Sequence, residues 1–341
     1  MTVIGAGAWG TALANLLADT GTEVRMWARE PEVVEAVSTT GENTLYLEGA
    51  RLNPGLAVTN SLAEALEGAE VVVWVCPVQY SGALLAEAGP LIPPGALVVS
   101  ASKGIEVATL RRMDEIFAEA LPREQAERLC VLSGPSFARE VVAGAPTAVV
   151  VASHDRQARL RVQSLFQTDR FRVYTNRDVV GVELGGALKN VIALAAGVAA
   201  GLELGHNAVA ALMTRGLAEM SRLGVALGAQ PATFAGLAGM GDLVLTCTGG
   251  LSRNRTVGVM LGQGRTMEEI MGGARTVAEG VATVRAVHSL AQGLGVEMPV
   301  SAEVFRIIAE GLDPMEALHR LMTREPTSEH PGTSTAAGER S

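Results

Sequence analysis

Short runs of consecutive apolar residues recur through the first half of the chain. Residues 71–75, 96–100, 129–132 and 147–151 form such runs, and an unbroken apolar run is typical of a strand buried on both faces of a parallel sheet. Further strands are predicted at residues 1–4, 23–27 and 172–174, and helices at residues 11–20, 61–66 and 110–120. The alternation predicts an α/β, Rossmann-type, doubly wound parallel-sheet domain over residues 1–177.

The pattern changes near residue 178. From there the segments favour helices that end at glycines, and no segment has the pattern of a strand. The candidate helices are 179–202, 208–227, 231–237, 267–271, 277–292, 300–310 and 314–323. This predicts an all-α second domain over residues 178–325. Residues 326–341, rich in Pro, Gly, Ser and Thr, are predicted to be a disordered tail.

A glycine-rich turn separates the first predicted strand from the first helix. Gly5, Gly7 and Gly10 have the spacing G-x-G-x-x-G, with Ala8 and Trp9 between the last two. In the dinucleotide-binding motif the first glycine permits a tight turn, the second lets the backbone approach a pyrophosphate, and the third lets helix and strand pack closely. Amides at the helix N-terminus then face the phosphates. The turn therefore predicts a dinucleotide site.

The end of the second predicted strand bears on which dinucleotide binds. Sites that prefer NAD usually have Asp or Glu there, which binds the ribose 2′-hydroxyl, whereas this chain has Arg29 followed by Glu30. A guanidinium at that place suits a 2′-phosphate. We therefore predict NADPH as the preferred cofactor. NADH is the alternative, in which Arg29 is an ordinary solvated charge.

Composition limits the class of protein. The 341 residues are 48% hydrophobic and 18% charged, so the chain can bury large cores. The net charge is −9 and no basic stripe is present, which argues against nucleic acid as a partner. No signal peptide is recognisable, and the charge-free apolar stretch at residues 190–202 is too short to span a bilayer. Cys76, Cys130 and Cys247 are widely spaced and suggest buried thiols in a reducing cytoplasm.

Lysine is almost absent from the chain. Of 27 cationic residues only Lys103 and Lys189 are lysines, and the rest are arginines. Arginine stays protonated at any relevant pH, whereas lysine can release its proton when its pKa is lowered. Two lysines retained against this bias suggest a task that arginine cannot perform, with chance retention as the alternative.

Lys189 lies in a predicted helix made almost entirely of Ala, Leu, Gly and Val. A buried lysine is costly unless it is paired or functional, and burial lowers its pKa towards neutrality. Hydride transfer between an alcohol and a ketone needs a group that takes and returns a proton, which such an amine can do. The alternative is a lysine whose ammonium group reaches water at the end of a flexible side chain.

Other polar residues lie where a ligand crevice is expected. Lys103 follows one predicted strand, and Gly134 and Ser136 follow the next. We expect them at the ligand crevice, because the carboxyl ends of the strands line it in this fold. In the second domain Asp242 is a candidate partner for Lys189 or a substrate hydroxyl. Arg253, between Ser252 and Asn254, suits a phosphate monoester, because guanidinium binds oxyanions through two nitrogens. Each segment also has a plainer interpretation as a turn, a helix cap or a solvated loop.

Taken together, these segments resemble the bacterial NAD(P)-dependent glycerol-3-phosphate dehydrogenases. The matching motifs follow the family's order over residues 1–323: GAGAWGTALA at 5–14, SKGIE at 102–106, GPSFA at 134–138, ELGGALKN at 183–190, TRGLAEM at 214–220, GMGDL at 239–243 and SRN at 252–254. The resemblance implies reversible reduction of dihydroxyacetone phosphate to sn-glycerol 3-phosphate for phospholipid synthesis.

The resemblance also implies roles for single residues. Lys189 is expected to be the catalytic residue, accepting the proton of the substrate alcohol. Substrate contacts are expected from Lys103, Gly134, Ser136, Lys189, Asp242, Ser252, Arg253 and Asn254. Cofactor contacts are expected from Gly5, Gly7, Ala8, Trp9, Gly10, Arg29, Lys103, Ala138, Arg253, Val277 and Glu279. Asn190 and Thr246 are further candidates, and no metal site is predicted. The chain departs from the family at Ala8, often Ser, and at His206, more often Asp.

Two other functions stay open at this point. One is another dehydrogenase with a helical second domain, of the 3-hydroxyacid or 6-phosphogluconate type. The other is a regulatory module that binds NADPH without catalysis, which the two retained lysines argue against. Membrane flavoenzymes that oxidise glycerol 3-phosphate would need an acidic residue at the strand end where this chain has Arg29. The Ala- and Gly-rich helices of the second domain are compatible with a homodimer.

Overall fold

The computed structural model describes residues 1–272, 278–326 and 328–329. Within these ranges eight strands form one sheet in the order β3-β2-β1-β4-β5-β6-β7-β8. The strands are β1 (Thr2–Ile4), β2 (Arg25–Trp27), β3 (Ala57–Thr59), β4 (Val71–Trp74), β5 (Leu97–Ser100), β6 (Cys130–Ser133), β7 (Thr147–Ala152) and β8 (Phe171–Asn176). The first six have the strand order of a dinucleotide-binding fold and are parallel. The predicted Rossmann-type architecture is confirmed.

The sheet differs from the prediction in two details. β7 runs antiparallel to β6, and β8 is parallel to β7. The physical reason is the short link over residues 134–146, which holds only a five-residue helix and does not cross back to the starting edge of the sheet. β3 was not predicted. It is a three-residue edge strand with only its last residue buried, so it has no apolar run to reveal it.

Helices cover both faces of the sheet and make up the rest of the chain. Those of the sheet region are α1 (Ala8–Asp19), α2 (Pro31–Thr40), α3 (Leu62–Leu66), α4 (Val78–Ala88), α5 (Met113–Ala120), α6 (Arg123–Glu127), α7 (Ala138–Val142) and α8 (Arg156–Phe166). Those after the sheet are α9 (Val179–Gly201), α10 (Gly205–Ala226), α11 (Pro231–Phe234), α12 (Asp242–Thr248), α13 (Arg253–Gly262), α14 (Met267–Gly272), α15 (Glu279–Leu294), α16 (Pro299–Phe305) and α17 (Pro314–Met322). Among the described residues, no strand follows β8, as predicted.

Two helices of the second region, α12 and α13, were not predicted. Their first turns are the polar clusters around Asp242 and Arg253, which the sequence suggested as turns, caps or loops. Polar residues are favoured at helix N-termini because they satisfy free backbone amides. The Ser252 side chain does this for α13 by accepting a hydrogen bond from the backbone N–H of Arg255 at 3.2 Å. The polar start at Ser252 is therefore the beginning of a helix and not a loop.

The long helix α9 is the centre of the second region. By length and composition it is the one continuous helix among the described residues that is apolar enough to cross a membrane, but 94% of its apolar window is buried inside the protein. It packs closely on α13 through glycines on both helices. A Cβ atom added to Gly258 would lie 2.2 Å from the carbonyl oxygen of Leu194, and one added to Gly197 would lie 2.2 Å from that of Arg255. The glycines thus allow backbone-to-backbone contact.

The sheet region and the helical region share part of their packing. Ile105, in the connection after β5, is fully buried in the hydrophobic core formed by α9 and its neighbours. The division at residues 177 and 178 stays a prediction, although β8 ends at Asn176 and α9 begins at Val179. Most of the predicted tail, residues 326–341, lies outside the described residues.

Candidate active site

The two lysines of the chain meet at one carboxylate. The Nζ of Lys189 donates a hydrogen bond to Oδ1 of Asp242 at 2.5 Å, and the Nζ of Lys103 donates to Oδ2 at 2.6 Å. Lys189 also donates to the hydroxyl of Thr246 at 2.8 Å, and that hydroxyl in turn donates to the backbone carbonyl of Asp242. Lys189 and Asp242 are only 6% and 1% exposed. The amine of Lys189 therefore does not reach outward to solvent.

Three elements bring these groups together. Lys189 lies in the middle of α9, Asp242 is the first residue of α12, and Lys103 follows β5 at the carboxyl end of the parallel strands. Gly186, almost one helical turn before Lys189, leaves room for the Lys103 side chain. A Cβ atom at Gly186 would lie 2.8 Å from the Ser133 hydroxyl oxygen and 3.5 Å from Cγ of Lys103. The site lies where the sheet edge meets the helical region.

Burial and neighbouring charges act against each other at Lys189. Burial lowers the pKa of Lys189 to about 8; the Asp242 carboxylate acts to raise it, and the Lys103 ammonium lowers it further. Burial alone would raise the pKa of Asp242, but the two ammonium groups hold it below its ordinary value. Asp242 therefore stays ionised. Lys189 is mostly protonated at neutral pH, but its pKa lies close enough to neutral pH for the amine to release the proton during the reaction.

The turn after β6 contributes a wall of the same site. The carbonyl oxygen of Gly134 accepts a hydrogen bond from Lys103 at 3.4 Å, and the Ser136 hydroxyl donates to that oxygen at 3.0 Å. Gly134 has a φ of +138°, in the region that favours glycine, and a Cβ there would lie 3.0 Å from Cα of Val149. The ring of Phe137 reaches the helical region, where a Cβ at Gly249 would lie 2.5 Å from it.

Two asparagines connect three helices beside Lys189. Asn254 of α13 donates its side-chain amide to Oδ1 of Asn190 on α9 at 2.9 Å, and it accepts from the backbone N–H of Gly280 on α15 at 3.0 Å. Glu279, the first residue of α15, is near enough to act on the charge of Lys189. Arg253 is exposed at the N-terminus of α13. The predicted residues of α9, α13 and α15 thus lie side by side.

The glycine turn fits a dinucleotide. Gly5 has a φ of +113°, and a Cβ at Gly10 would lie 1.8 Å from the carbonyl oxygen of Gly5, so neither position accepts a side chain. A Cβ at Gly7 would meet nothing within 4 Å, which leaves open space over the backbone. The buried Nε1 of Trp9 has no hydrogen-bond partner among the described residues. Ala138 begins α7, which packs against α1 beside this turn.

Not every predicted residue lies in this cluster. Arg29 follows β2 with its side chain 72% exposed and forms an ion pair with Glu30 at 3.1 Å. Val277 lies outside the described residues. Two side chains that the sequence did not single out are Gln79, which bonds to the backbone two residues beyond Lys103, and Glu183, which bonds to the backbone N–H of Asp114 in α5. Glu183 stands in the ELGGALKN motif, but nothing local indicates its partner, which is 69 residues away in the chain.

The cysteines take no part in this hydrogen-bond network. All three are free and buried, as predicted, and burial raises the pKa of each thiol to about 12. No group of three His, Cys, Asp or Glu side chains within the described ranges is placed to hold a metal ion.

Comparison with known proteins identifies the family. Residues 1–159 match the profile of the NAD-dependent glycerol-3-phosphate dehydrogenase N-terminus, and residues 178–319 match that of the C-terminus. The chain is 59% identical to a glycerol-3-phosphate dehydrogenase [NAD(P)+] of Geobacter metallireducens over 96% of this chain and 98% of that protein.

Solved structures agree with the sequence matches. The crystal structure of glycerol-3-phosphate dehydrogenase from Coxiella burnetii aligns with a TM-score of 0.89 at 40% identity, covering 95% of this chain and 98% of that one. The yeast enzyme from Saccharomyces cerevisiae aligns with a TM-score of 0.79 at 27% identity, covering 93% and 98%. The chain therefore belongs to the NAD(P)-dependent glycerol-3-phosphate dehydrogenase family.

Proposed function

We propose that this protein reduces dihydroxyacetone phosphate reversibly to sn-glycerol 3-phosphate, the backbone of phospholipids, and that Lys189 exchanges the proton. Membership of the family supports the reaction. The observation that carries the role of Lys189 is its buried amine, bonded to Asp242 at the edge where the sheet meets the helical region. Proton exchange by an amine needs a pKa near neutrality, and burial lowers that of Lys189 to about 8.

The residues around Lys189 suit a small phosphorylated ketone. A bound nicotinamide cofactor supplies the hydride to the carbonyl carbon. Lys189 donates its proton to the carbonyl oxygen, so that the C=O group becomes a CH–OH group. Asp242 stays ionised and orients the amine of Lys189 towards the carbonyl oxygen. Lys103 provides a second ammonium group that can bind the substrate oxygens. In the oxidative direction the neutral amine of Lys189 takes the hydroxyl proton.

The phosphate group is assigned to the start of α13. Arg253 is the first residue of that helix, and Asn254 anchors the helix to α9 and α15. Helix N-termini and guanidinium groups both favour phosphate. Holding the phosphate fixes the distance from the carbonyl carbon to the hydride donor. Ser252 supports this arrangement by capping the helix.

The reaction is tested by mixing the protein with dihydroxyacetone phosphate and NADPH and following the loss of NADPH absorbance. The same assay is then repeated with NADH in place of NADPH. Lys189→Met is expected to reduce kcat by about 100- to 10,000-fold, the usual contribution of a general acid, while NADPH fluorescence titration shows nearly unchanged binding. Turnover by Lys189→Met within threefold of the wild type would remove Lys189 from the reaction. Faster oxidation of 3-hydroxyacids or 6-phosphogluconate than of glycerol 3-phosphate would favour the alternative dehydrogenase types.

The phosphate site has its own test. Arg253→Ala is expected to raise KM for dihydroxyacetone phosphate about tenfold or more, because a charge-assisted hydrogen bond contributes about 1.5–3 kcal/mol, with kcat falling less. Arg123→Ala is a matched control, since Arg123 is a surface arginine of α6 that pairs with Glu127. An unchanged KM in Arg253→Ala would place the phosphate elsewhere.

The setting of the enzyme is proposed from more general features. The three free, buried cysteines are consistent with the reducing cytoplasm, and the Ala- and Gly-rich helices after the sheet are compatible with a homodimer. Size-exclusion chromatography with light scattering measures the mass directly. A mass near 35.3 kDa, that of one chain, would exclude the dimer.

A further inference from the structure

The segment 101–112, which carries Lys103, belongs by sequence to the sheet region but is built into both regions. It begins directly after β5 and ends before α5. Ile105 is fully buried in the core around α9. A Cβ atom at Gly104, which has a φ of +118°, would lie 2.9 Å from Val78 on α4 and 3.6 Å from Thr283 on α15. The segment is therefore held between a helix of each region.

Gln79 of α4 binds the segment with both ends of its side-chain amide. Its Nε2 donates to the carbonyl oxygen of Ile105 at 2.8 Å, and its Oε1 accepts from the backbone N–H of Val107 at 3.0 Å. The two bonded groups are only two and four residues beyond Lys103. Gln79 thus fixes the backbone that carries Lys103 from the side of the sheet region.

Glu183 of α9 holds the other end. Its Oε1 accepts a hydrogen bond from the backbone N–H of Asp114 at 3.0 Å, and its Oε2 lies 3.5 Å from Nε of Arg112. Glu183 is buried, and it lies on the same helix as Lys189. Between the two anchors Leu110 has a φ of +59°, a conformation that a leucine keeps only when its surroundings hold it.

We propose that Gln79 and Glu183 are positioning residues, which act through segment 101–112 to hold the Lys103 ammonium group against Asp242 in the active site. The inference rests on the proposed roles of Lys103 and Lys189. Its consequence is electrostatic. If the segment moves, Lys103 withdraws from Asp242, and that carboxylate then pairs with Lys189 alone.

Withdrawal of Lys103 changes the proton affinity of Lys189 in a defined direction. The charged groups that act on the amine are Asp242 on α12, Lys103 on the segment and Glu279 at the start of α15. Lys103 lowers the pKa of Lys189, whereas Asp242 and Glu279 raise it. Loss of the Lys103 contact therefore raises this pKa. The limb of the pH–kcat profile that reports Lys189 moves to higher pH in both reaction directions. Loosening that admitted water to the amine would also raise its pKa, because burial is what lowers it, so a control variant away from the segment is required.

The experiment compares four variants by pH–kcat profile, KM for dihydroxyacetone phosphate and thermal midpoint. Lys103→Met is expected to move the limb up by on the order of one pH unit. Gln79→Ala and Glu183→Ala, which remove the acceptor for the backbone N–H groups of Val107 and Asp114, are expected to move it in the same direction by a smaller amount and to raise KM severalfold. The matched control is Gln125→Ala. Gln125 also donates its amide to backbone carbonyls, at 2.8 and 3.1 Å, but before β5 rather than after it.

The outcomes separate the two proposals. A limb at the wild-type pH and an unchanged KM in both Gln79→Ala and Glu183→Ala, with a shifted limb in Lys103→Met, would overturn the positioning role alone. An unshifted limb and an unchanged KM in Lys103→Met would overturn the proposed role of Lys103 itself. An equal shift in Gln125→Ala would also overturn the positioning role, because any loosening would then produce it.

Discussion

Replacing Lys189 by Met is expected to leave the protein nearly inactive but more stable. Burial lowers the pKa of this lysine from its ordinary 10.5 to about 8, with the attraction of Asp242 already included. At neutral pH the protonated amine therefore costs the folded state about 3 kcal/mol relative to the unfolded chain. Met occupies a similar space without charge, and Asp242 keeps Lys103 as a partner at 2.6 Å.

The gain in stability depends on pH with a definite sign. Between about pH 8 and pH 10.5 the unfolded chain holds a proton on Lys189 that the folded protein has released. Stability of the wild type therefore rises with pH in this window, because the unfolded state binds more protons there. Lys189→Met lacks this contribution. Its advantage is largest near pH 7, at up to about 3 kcal/mol, and disappears towards pH 10.5.

Urea unfolding of the protein without cofactor, at pH 7 and pH 9.5, measures this difference. In a separate thermal unfolding experiment at pH 7, the midpoint of Lys189→Met is expected to lie up to about 5 °C above that of the wild type. This value follows from the average unfolding entropy of a chain of this length. Arg123→Met is the control, because Arg123 is an exposed surface residue whose ion pair with Glu127 contributes little. A Lys189→Met protein less stable than the wild type at pH 7, or an advantage independent of pH, would refute the reasoning.

Three further changes test other parts of the structure. Arg29→Ser is expected to raise KM for NADPH about tenfold with little effect on KM for NADH, because it removes the exposed guanidinium at the end of β2 that would bind the 2′-phosphate of NADPH. Initial rates with each cofactor measure this. Gly258→Ala is expected to destabilise by about 1–3 kcal/mol or more, since its Cβ would lie 2.2 Å from a backbone oxygen of α9. Asp178→Ala is expected to cost about 2–3 kcal/mol, because three hydrogen bonds end on this buried carboxylate, one of them capping α9. Urea unfolding measures both losses.

The controls for these changes come from the same chain. Gly293 lies in α15, and a Cβ added there meets nothing within 4 Å, so Gly293→Ala is expected to be neutral or slightly stabilising. Equal losses in Gly258→Ala and Gly293→Ala would contradict the packing argument. A strong preference for NADH in the wild type, unchanged in Arg29→Ser, would end the assignment of Arg29. Asp178→Asn retains the acceptor oxygen and should lose less stability than Asp178→Ala.

The fold was largely predictable because its signals are local. Buried parallel strands are unbroken apolar runs, and the turn from Gly5 to Gly10 has a spacing that few other structures require. The rarity of lysine in the sequence by itself singled out Lys103 and Lys189. Edge strand β3 was missed because it is three residues long and mostly exposed, and α12 and α13 were missed because they are short, at seven and ten residues.

What the sequence determined is which side chains have unusual chemistry; what the tertiary structure decided is which of them meet. Lys103 and Lys189 are 86 positions apart, and Asp242 is a further 53 beyond, so no spacing rule predicts that both ammonium groups bind one carboxylate. The backbone partners of Gln79 are 26 and 28 positions away, and that of Glu183 is 69 positions away. Buried charges are tolerated only where folding brings opposite charges and hydrogen-bond donors around them, and that balance exists only in three dimensions.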